Sequence, residues 1–267
     1  MKAYVINLDR RPDRLEHFQA MAAASGFDFI RIAAVDGNDP EFVARAVTAP
    51  RSRIKRQLRI GPYEIACFES HRKVWRTILE SGESHGLVLE DDLFLSDDFD
   101  RILANDSWIP ADADIVRLET FGTLMRYDPD PATRVLGRGL HRMRSTMGGG
   151  GAYILARRMV PTLLAETEEI REQVDVTLFD QNSPIFRRMV IYQMVPAPAV
   201  QGNRRKGVWL QEGWAASDLG EERGEPIPPP PPSRHTGLRR FKLYWRARYW
   251  LRRLDARLRR VREVPFG

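Results

Sequence analysis

The chain has 267 residues, 43% of them hydrophobic, enough to bury the core of one large α/β domain with an appendage but too few for two full domains. Its formal charge of +6 is uneven: twelve Lys/Arg and one acid lie between Arg234 and Arg262, which leaves 30 bases against 35 acids elsewhere, so a basic tail follows a mildly acidic body. The single cysteine, Cys67, excludes an internal disulfide and a thiolate metal cluster, and no window approaches the ~18 apolar residues of a membrane span, so the expectation is a soluble or peripheral protein with a reducing cytosol as its default compartment.

"KAYVINL" is too short for a signal-peptide core and runs straight into "DRRPDR". Ala3 to Leu8 reads instead as a buried strand, Pro12 to Ser25 as a helix with proline in its first turn, and "FDFIRIAAV" as a second strand, a β-α-β opening. Asp36-Gly37 marks a turn, and the basic stretch "RSRIKRQLR" reads as a mobile loop. From Gly61, Ile65, Phe68, Val74, Trp75, Ile78 and Leu79 recur mostly at three- and four-residue steps, which predicts a helix ending at "SGESHG". Leu87 to Leu89, "ADIVRLE" and "GAYILA" predict strands; "RRMVPTLLAETEEI" and "VDVTLFDQN" predict helices; "RRMVIYQMVPAPAV" predicts a last strand. This order is that of an α/β sandwich, closed by "EPIPPPPPSR", whose prolines favour an extended spacer.

The apolar run Leu87 to Leu89 suits a strand covered on both faces, as in a parallel sheet, and Glu90, Asp91 and Asp92 follow it at the carboxyl edge where α/β proteins place ligands. Three such neighbours repel one another unless a cation sits among them, and a hard divalent ion, Mg²⁺ or Mn²⁺, takes one or two carboxylates while leaving room for phosphate oxygens. A solvated helix N-cap would use the same residues.

Read together, "VINLDRRPDRLEHF", "VDG", "EIACFESHRKVW", "LVLEDDLFL", "GGGGAYILA", "VDVTLF" and "PAPAVQ" resemble the ordered motifs of glycosyltransferase family 25, the lipopolysaccharide and lipooligosaccharide β-glycosyltransferases, over about residues 1 to 203. The resemblance implies a GT-A-like, Rossmann-type α/β/α sandwich, a divalent metal at the acidic motif, and inverting transfer of a hexose, often galactose from UDP-galactose. It places Glu90 and Asp92 as metal ligands with Asp91 beside them, and marks Leu8, Asp36, Gly37 and Gln201 as donor-binding positions. The chain departs from the family pattern at Gly149-Gly150-Gly151 and at Glu69, which bears on donor and acceptor identity.

Physical readings of the other candidates sit beside this frame. Asn7 and Arg10 follow the first strand, where an amide can read uracil or ribose and a guanidinium can meet phosphate, with Arg14 one helical turn on. Ser70, His71 and Trp75 share one helical side, for a sugar or nucleotide contact or for packing against the sheet. The run Gly148 to Gly151 allows close backbone approach but lacks a phosphate-loop spacing. In the family frame Asp175 is the first choice for the base that activates the acceptor hydroxyl, with Asp180 and Glu119 in reserve. Ser70 and His71 are neighbours without a nucleophile elbow, which argues against a Ser-His-Asp hydrolase. Two other classes use the same residues: a metal-dependent phosphodiesterase or nuclease, and a non-catalytic adaptor with a degenerate site.

The resulting plan is a nucleotide-sugar domain over 1–224, a proline-rich linker over 225–233 and a basic amphipathic helical tail over 234–267. In the tail, Leu243, Ala247, Trp250, Leu254, Leu258 and Val261 form one apolar stripe with arginines around it, which suits an anionic membrane surface. Docking on its own domain or on a second subunit, as in a homodimer, is the competing use. The expected partners are a nucleotide-sugar donor, a glycan or lipid-linked glycan acceptor and the inner face of the cell membrane, with no nucleic acid.

Overall fold

The computed structural model describes residues 1–46, 54, 60–202 and 261–267. Most of the basic stretch 51–59, the proline-rich linker and the tail up to residue 260 therefore lie outside the described residues. In chain order the elements are β1 (Lys2–Asn7), α1 (Pro12–Ser25), β2 (Ile30–Ala33), α2 (Pro40–Ala46), α3 (Pro62–Glu80), β3 (His85–Glu90), β4 (Leu93–Leu95), α4 (Phe99–Leu103), β5 (Ile115–Arg117), β6 (Glu119–Thr120), β7 (Leu124–Arg126), β8 (Thr133–Val135), β9 (Arg138–Arg142), β10 (Ala152–Ala156), α5 (Val160–Glu166), α6 (Val174–Phe179), α7 (Pro184–Arg188), β11 (Ile191–Val195), β12 (Ala199–Gln201) and β13 (Val261–Glu263).

Strands with a period of two send alternate side chains to opposite faces, and here both faces are dry. Tyr4 and Ile6 of β1, Val88 of β3 and Tyr153 and Leu155 of β10 join one apolar cluster, while Ala3, Val5, Leu87, Leu89, Ala152 and Ile154 join the other. Helices supply the covers. Phe68, Val74, Trp75 and Ile78 of α3 with Leu178 and Phe179 of α6 close the first face; Phe18 and Ala22 of α1 with Phe99 and Ile102 of α4 close the second. The result is the α/β/α sandwich that the motif order implies.

The central sheet has eight strands in the order β2-β1-β3-β10-β5-β11-β9-β8. It is mixed where the apolar run at Leu87 suggested parallel neighbours: β3 runs parallel to β1 but antiparallel to β10. Burial on both faces explains the continuous apolar run whatever the direction of the partner, so composition alone does not distinguish the two. A three-stranded sheet, β4-β12-β6, stands beside the carboxyl end of β3, and β13 pairs antiparallel with β7.

Local chemistry sets the helix ends. Pro12 opens α1, and Gly26, at φ 75°, closes it with the Gly26 and Phe27 N–H groups returned to Ala23 and Ala22 carbonyls. In α3, Pro62 occupies the first turn and Glu64 reaches back to the Gly61 N–H at 2.9 Å. Gly86 lets α3 lie close on the sheet, since a Cβ there would stand 2.4 Å from Ile78 Cγ1. The predicted helix at 157–170 is shorter than expected: a single 3₁₀ turn leads into α5, which stops at Glu166.

Val261, expected as the last apolar position of the tail helix, is instead the first residue of β13. Val264 behind it is completely buried, its carbonyl accepts the Thr120 hydroxyl, and Ala197 donates its N–H to the Pro265 carbonyl at 2.8 Å. Residues 261–267 thus belong to the folded domain. The reason is tertiary: three extended residues find an unpaired edge at β7, a partner no local periodicity reveals.

Candidate active site

The carboxyl end of β3 delivers Glu90 as its last residue and Asp91 and Asp92 in the turn before β4. These three acids do different things. Asp91 turns inward, accepting Asn7 Nδ2 at 2.6 Å and Arg14 Nη1 at 3.2 Å. Burial pushes its pKa up, and the Arg14 charge and Asn7 amide pull it back only in part. Glu90 is held from two sides, by His71 Nε2 at 3.2 Å on Oε1 and by Gln201 Nε2 at 3.1 Å on Oε2. Burial raises its pKa, but the His71 and Gln201 bonds and the Arg14 charge outweigh that and leave it below the usual range. Asp92 Oδ1 is buried with no hydrogen-bond partner, and burial followed by the Glu90 charge pushes its pKa up to about 7.

Glu119, at the start of β6, brings a fourth carboxyl to the same place. Its Oε2 accepts the Gly151 N–H at 2.8 Å, its Oε1 has no partner, and both Glu119 Oε1 and Glu90 Oε2 would lie 3.4 Å from a Cβ on Gly151. Burial drives the Glu119 pKa to about 8 although the completely buried Arg117 guanidinium is only 3.7 Å away. Arg117 also donates to the Gly148 carbonyl, and Asp175 Oδ2 accepts the Gly149 N–H at 3.1 Å. The glycine run is therefore stapled between an arginine and two acids. Asp175 is half-buried in the first turn of α6, within the same neighbourhood: the Gly150 Cα vector points at both the His71 ring and the Asp175 Cβ.

An open cleft lies over the acids at the β3 edge. Leu8, Arg14, Gly37, Ser70, His71 and Gln201 line it together with all three acids of the β3 edge. Gly37 is demanded by proximity: a Cβ there would sit 2.6 Å from Tyr63 Cδ1 and 2.9 Å from Tyr63 Cα, and the latter is backbone that cannot swing away. Tyr63 and Cys67 of α3, with Val35, also line the cleft and were not singled out from the sequence; Tyr63 is adjacent to the predicted Gly37 only in space. Ser70 donates to the Ala66 carbonyl at 2.7 Å and accepts the Val35 N–H at 2.8 Å, so it ties α3 to the loop after β2 that carries "VDG".

Several expected contacts take another form. Asn7 was expected to read a nucleoside, but its side chain is 1% exposed and bonded to Asp91, Arg31 and the Arg11 carbonyl. Trp75 was expected to meet a sugar or nucleotide; it is completely buried beneath the cleft and donates to Tyr153 at 2.7 Å. Arg14, expected to meet phosphate, forms the buried ion pair with Asp91. Arg10 and Asp36 are not among the residues lining the cleft; they pair with each other at 3.1 Å, each side chain 34% exposed, next to the lining residue Gly37. Of the three base candidates none is among the residues lining the cleft: Asp180 caps a turn through the Asn182 N–H at 2.8 Å, while Asp175 and Glu119 hold the glycine run beside it.

Asp92, whose buried oxygen has no partner, beside the partly exposed Glu90 fits a divalent cation, because that ion would supply the missing partner and the missing positive charge. Cys67, His71 and Glu90 also place one donor atom each within 4.8 Å of one another. Among the described residues no helix is long and apolar enough to cross a membrane.

The model of glycosyltransferase family 25, described as a lipopolysaccharide biosynthesis protein, matches residues 1–178, which carry the whole of this site except Gln201. The chain belongs to glycosyltransferase family 25. It is therefore a glycosyltransferase of the lipopolysaccharide-biosynthesis type, which displaces the nuclease and adaptor readings. The lacto-N-neotetraose biosynthesis glycosyltransferase LgtE of Neisseria meningitidis serogroup B is 27% identical over 234 residues, covering 84% of this chain and 82% of that one. The lacto-N-neotetraose biosynthesis glycosyltransferase LgtB of Neisseria meningitidis serogroup A is 29% identical over 214 residues, 75% of this chain and 74% of the relative. Among solved structures, the galactosyltransferase LgtC in complex with donor and acceptor sugar analogs aligns over 75% of this chain and 86% of its own, at 12% identity and a TM-score of 0.36.

Proposed function

We propose that this family 25 member is a metal-dependent, inverting hexosyltransferase that moves galactose from UDP-galactose onto a lipopolysaccharide or related surface-glycan acceptor. The observation that carries the reading is Asp92. A carboxylate with a buried, unpartnered oxygen beside Glu90, at the open carboxyl edge of a sheet, is costly without a partner and fits a divalent cation that would neutralise it together with a donor diphosphate.

In this reading Glu90 and Asp92 would hold Mn²⁺ or Mg²⁺, which when bound would offset the charge developing on the diphosphate leaving group. The chain's own residues do the rest. Asn7 and Arg14 hold Asp91 in place and so brace the turn from which Asp92 projects. Leu8, Val35, Gly37 and Tyr63 form the wall for the nucleoside, with the Arg10–Asp36 pair next to Gly37. Asp175, whose Oδ2 accepts the Gly149 N–H and whose Oδ1 accepts the Val176 N–H, takes the proton from the acceptor hydroxyl through a remaining lone pair on the side facing the glycine run. The relatives named for lacto-N-neotetraose biosynthesis agree with a surface-glycan acceptor. Such an acceptor is assembled on a lipid, so we place the enzyme peripherally on the inner face of the cell membrane, with residues 234–260 as its basic contact.

A thermal-shift screen of nucleotide sugars, each with Mn²⁺ and with EDTA, tests this, because a ligand that binds only the folded state raises apparent stability by mass action. UDP-galactose with Mn²⁺ should give the largest shift and EDTA should abolish it. Equal shifts with and without metal would sink the metal reading, and a larger shift with another nucleotide sugar would replace the donor.

A further inference from the structure

Beneath the cleft lies a buried chain of polar groups that ends on Glu90. His71 on α3 is 0% exposed, with Nε2 3.2 Å from Glu90 Oε1 and Nδ1 2.9 Å from the Tyr153 hydroxyl of β10. That hydroxyl is also 2.7 Å from Trp75 Nε1. Trp75, Tyr153 and His71 are each completely buried, so every polar hydrogen among them must be satisfied internally.

The chemistry of the groups then sets the direction of each bond. An indole N–H only donates, so the Tyr153 oxygen accepts from Trp75. The Tyr153 hydrogen needs an acceptor of its own, and His71 Nδ1 is the one in reach. Nδ1 is therefore the bare nitrogen and the ring hydrogen sits on Nε2, aimed at Glu90 Oε1. The opposite tautomer would leave the tyrosine hydrogen without an acceptor and set a nitrogen lone pair against a carboxylate oxygen at 3.2 Å. An imidazolium would also strand the tyrosine hydrogen. Burial keeps Tyr153 in its protonated form, well above its ordinary range.

We propose that Trp75, Tyr153 and His71 are positioning residues: a one-way hydrogen-bond relay that locks His71 as its Nε2–H tautomer and so holds the Glu90 carboxylate in the one orientation that serves the cleft. Gln201 completes the grip on Oε2. The relay rests on the proposed metal reading only for its consequence, since what it orients is a ligand of that ion. It also decides the use of the Cys67, His71 and Glu90 cluster. With its Nε2 lone pair replaced by a hydrogen, His71 cannot ligate, and a thiophilic ion such as Zn²⁺ finds no three-donor site there.

The test is ¹⁵N NMR of histidine-labelled full-length protein in EDTA, with His71 assigned by loss of its signal in His71→Gln, followed by Mn²⁺ titration. The wild type should show a protonated Nε2 and a bare Nδ1. Tyr153→Phe should admit both tautomers and weaken Mn²⁺ binding by roughly 10- to 100-fold, the usual effect of losing a group that orients a metal ligand. Trp75→Phe keeps the tyrosine, frees its oxygen to accept from Nδ1 and leaves space where the indole stood for a water to take the tyrosine hydrogen, so it should shift part of the population to the other tautomer, and it decides the matter if Tyr153→Phe does not fold. A protonated Nδ1 in the wild type, or variants that keep the wild-type tautomer and Mn²⁺ affinity, would overturn the relay. Because the tautomer is read without metal, a wild type that binds no Mn²⁺ sinks the metal reading alone.

Discussion

Replacing Asp92 by Asn separates what the site costs from what it binds. Without metal, the Asp92 carboxyl is pushed from the ordinary 3.8 up to about 7, first by burial and then by Glu90. An acid whose folded pKa is raised contributes its full stability below the unfolded value and loses it as pH rises through the folded one, because the unfolded chain releases its proton first. The loss therefore runs from roughly pH 4 to pH 7. Each tenfold change in proton affinity is worth about 1.36 kcal/mol, which sets a ceiling of about 4 kcal/mol. Asparagine keeps the shape and cannot ionise. In EDTA at pH 8 the Asp92→Asn protein should thus be more stable than the wild type, by up to about 4 kcal/mol, with the two converging near pH 4. Added Mn²⁺ should reverse the order at pH 8, stabilising the wild type and leaving the variant unchanged. Urea unfolding at pH 4 and pH 8, with EDTA and with Mn²⁺, reads both effects. A wild type as stable as the variant at pH 8 in EDTA would refute the argument that these charges are uncompensated without an ion.

Asp175 stands outside the lining of the cleft at the β3 edge, so Asp175→Asn should spare donor binding while single-turnover transfer slows by roughly 10²-fold or more; reduced donor affinity with normal transfer would make Asp175 a binding residue instead. Val264→Ala removes methyl groups from a completely buried site and should cost about 2 kcal/mol in urea unfolding, whereas a change near zero would mean that 261–267 does not pack on the domain in solution. Deleting residues 234–260 while keeping 261–267 should abolish salt-sensitive sedimentation with anionic liposomes and leave transfer to small soluble acceptors intact. Unchanged sedimentation would assign membrane contact elsewhere, and a cut at Pro232 is the poorer design because it also removes β13 and Val264.

The parts of this protein written locally in the sequence are those whose cause is local. Pro12 and Gly26 bracket α1, and the helix ends where they put it. The three- and four-residue spacing of Phe68, Trp75 and Ile78 predicts α3, because a helix buries one stripe. The unbroken apolar run before Glu90 predicts a strand with two dry faces, and that alone puts three acids at a sheet edge. What each acid does there is not local. Arg14 meets Asp91 across 77 residues of chain, Gln201 meets Glu90 across 111, and Glu119 is tied to the glycine run by its bond to the Gly151 N–H across 32. Trp75 has the helical phase of a cleft residue, and only the packing of α3 on β10 turns it toward Tyr153 and away from solvent. The same holds at the far end of the chain, where Val264 meets Thr120 across 144 residues and draws into the domain a segment whose charge and spacing belong to a tail. Periodicity and caps act over a few residues, so they are legible in one dimension. A hydrogen-bond partner or a missing one is chosen by which elements the sheet order brings together, and that choice exists only in three.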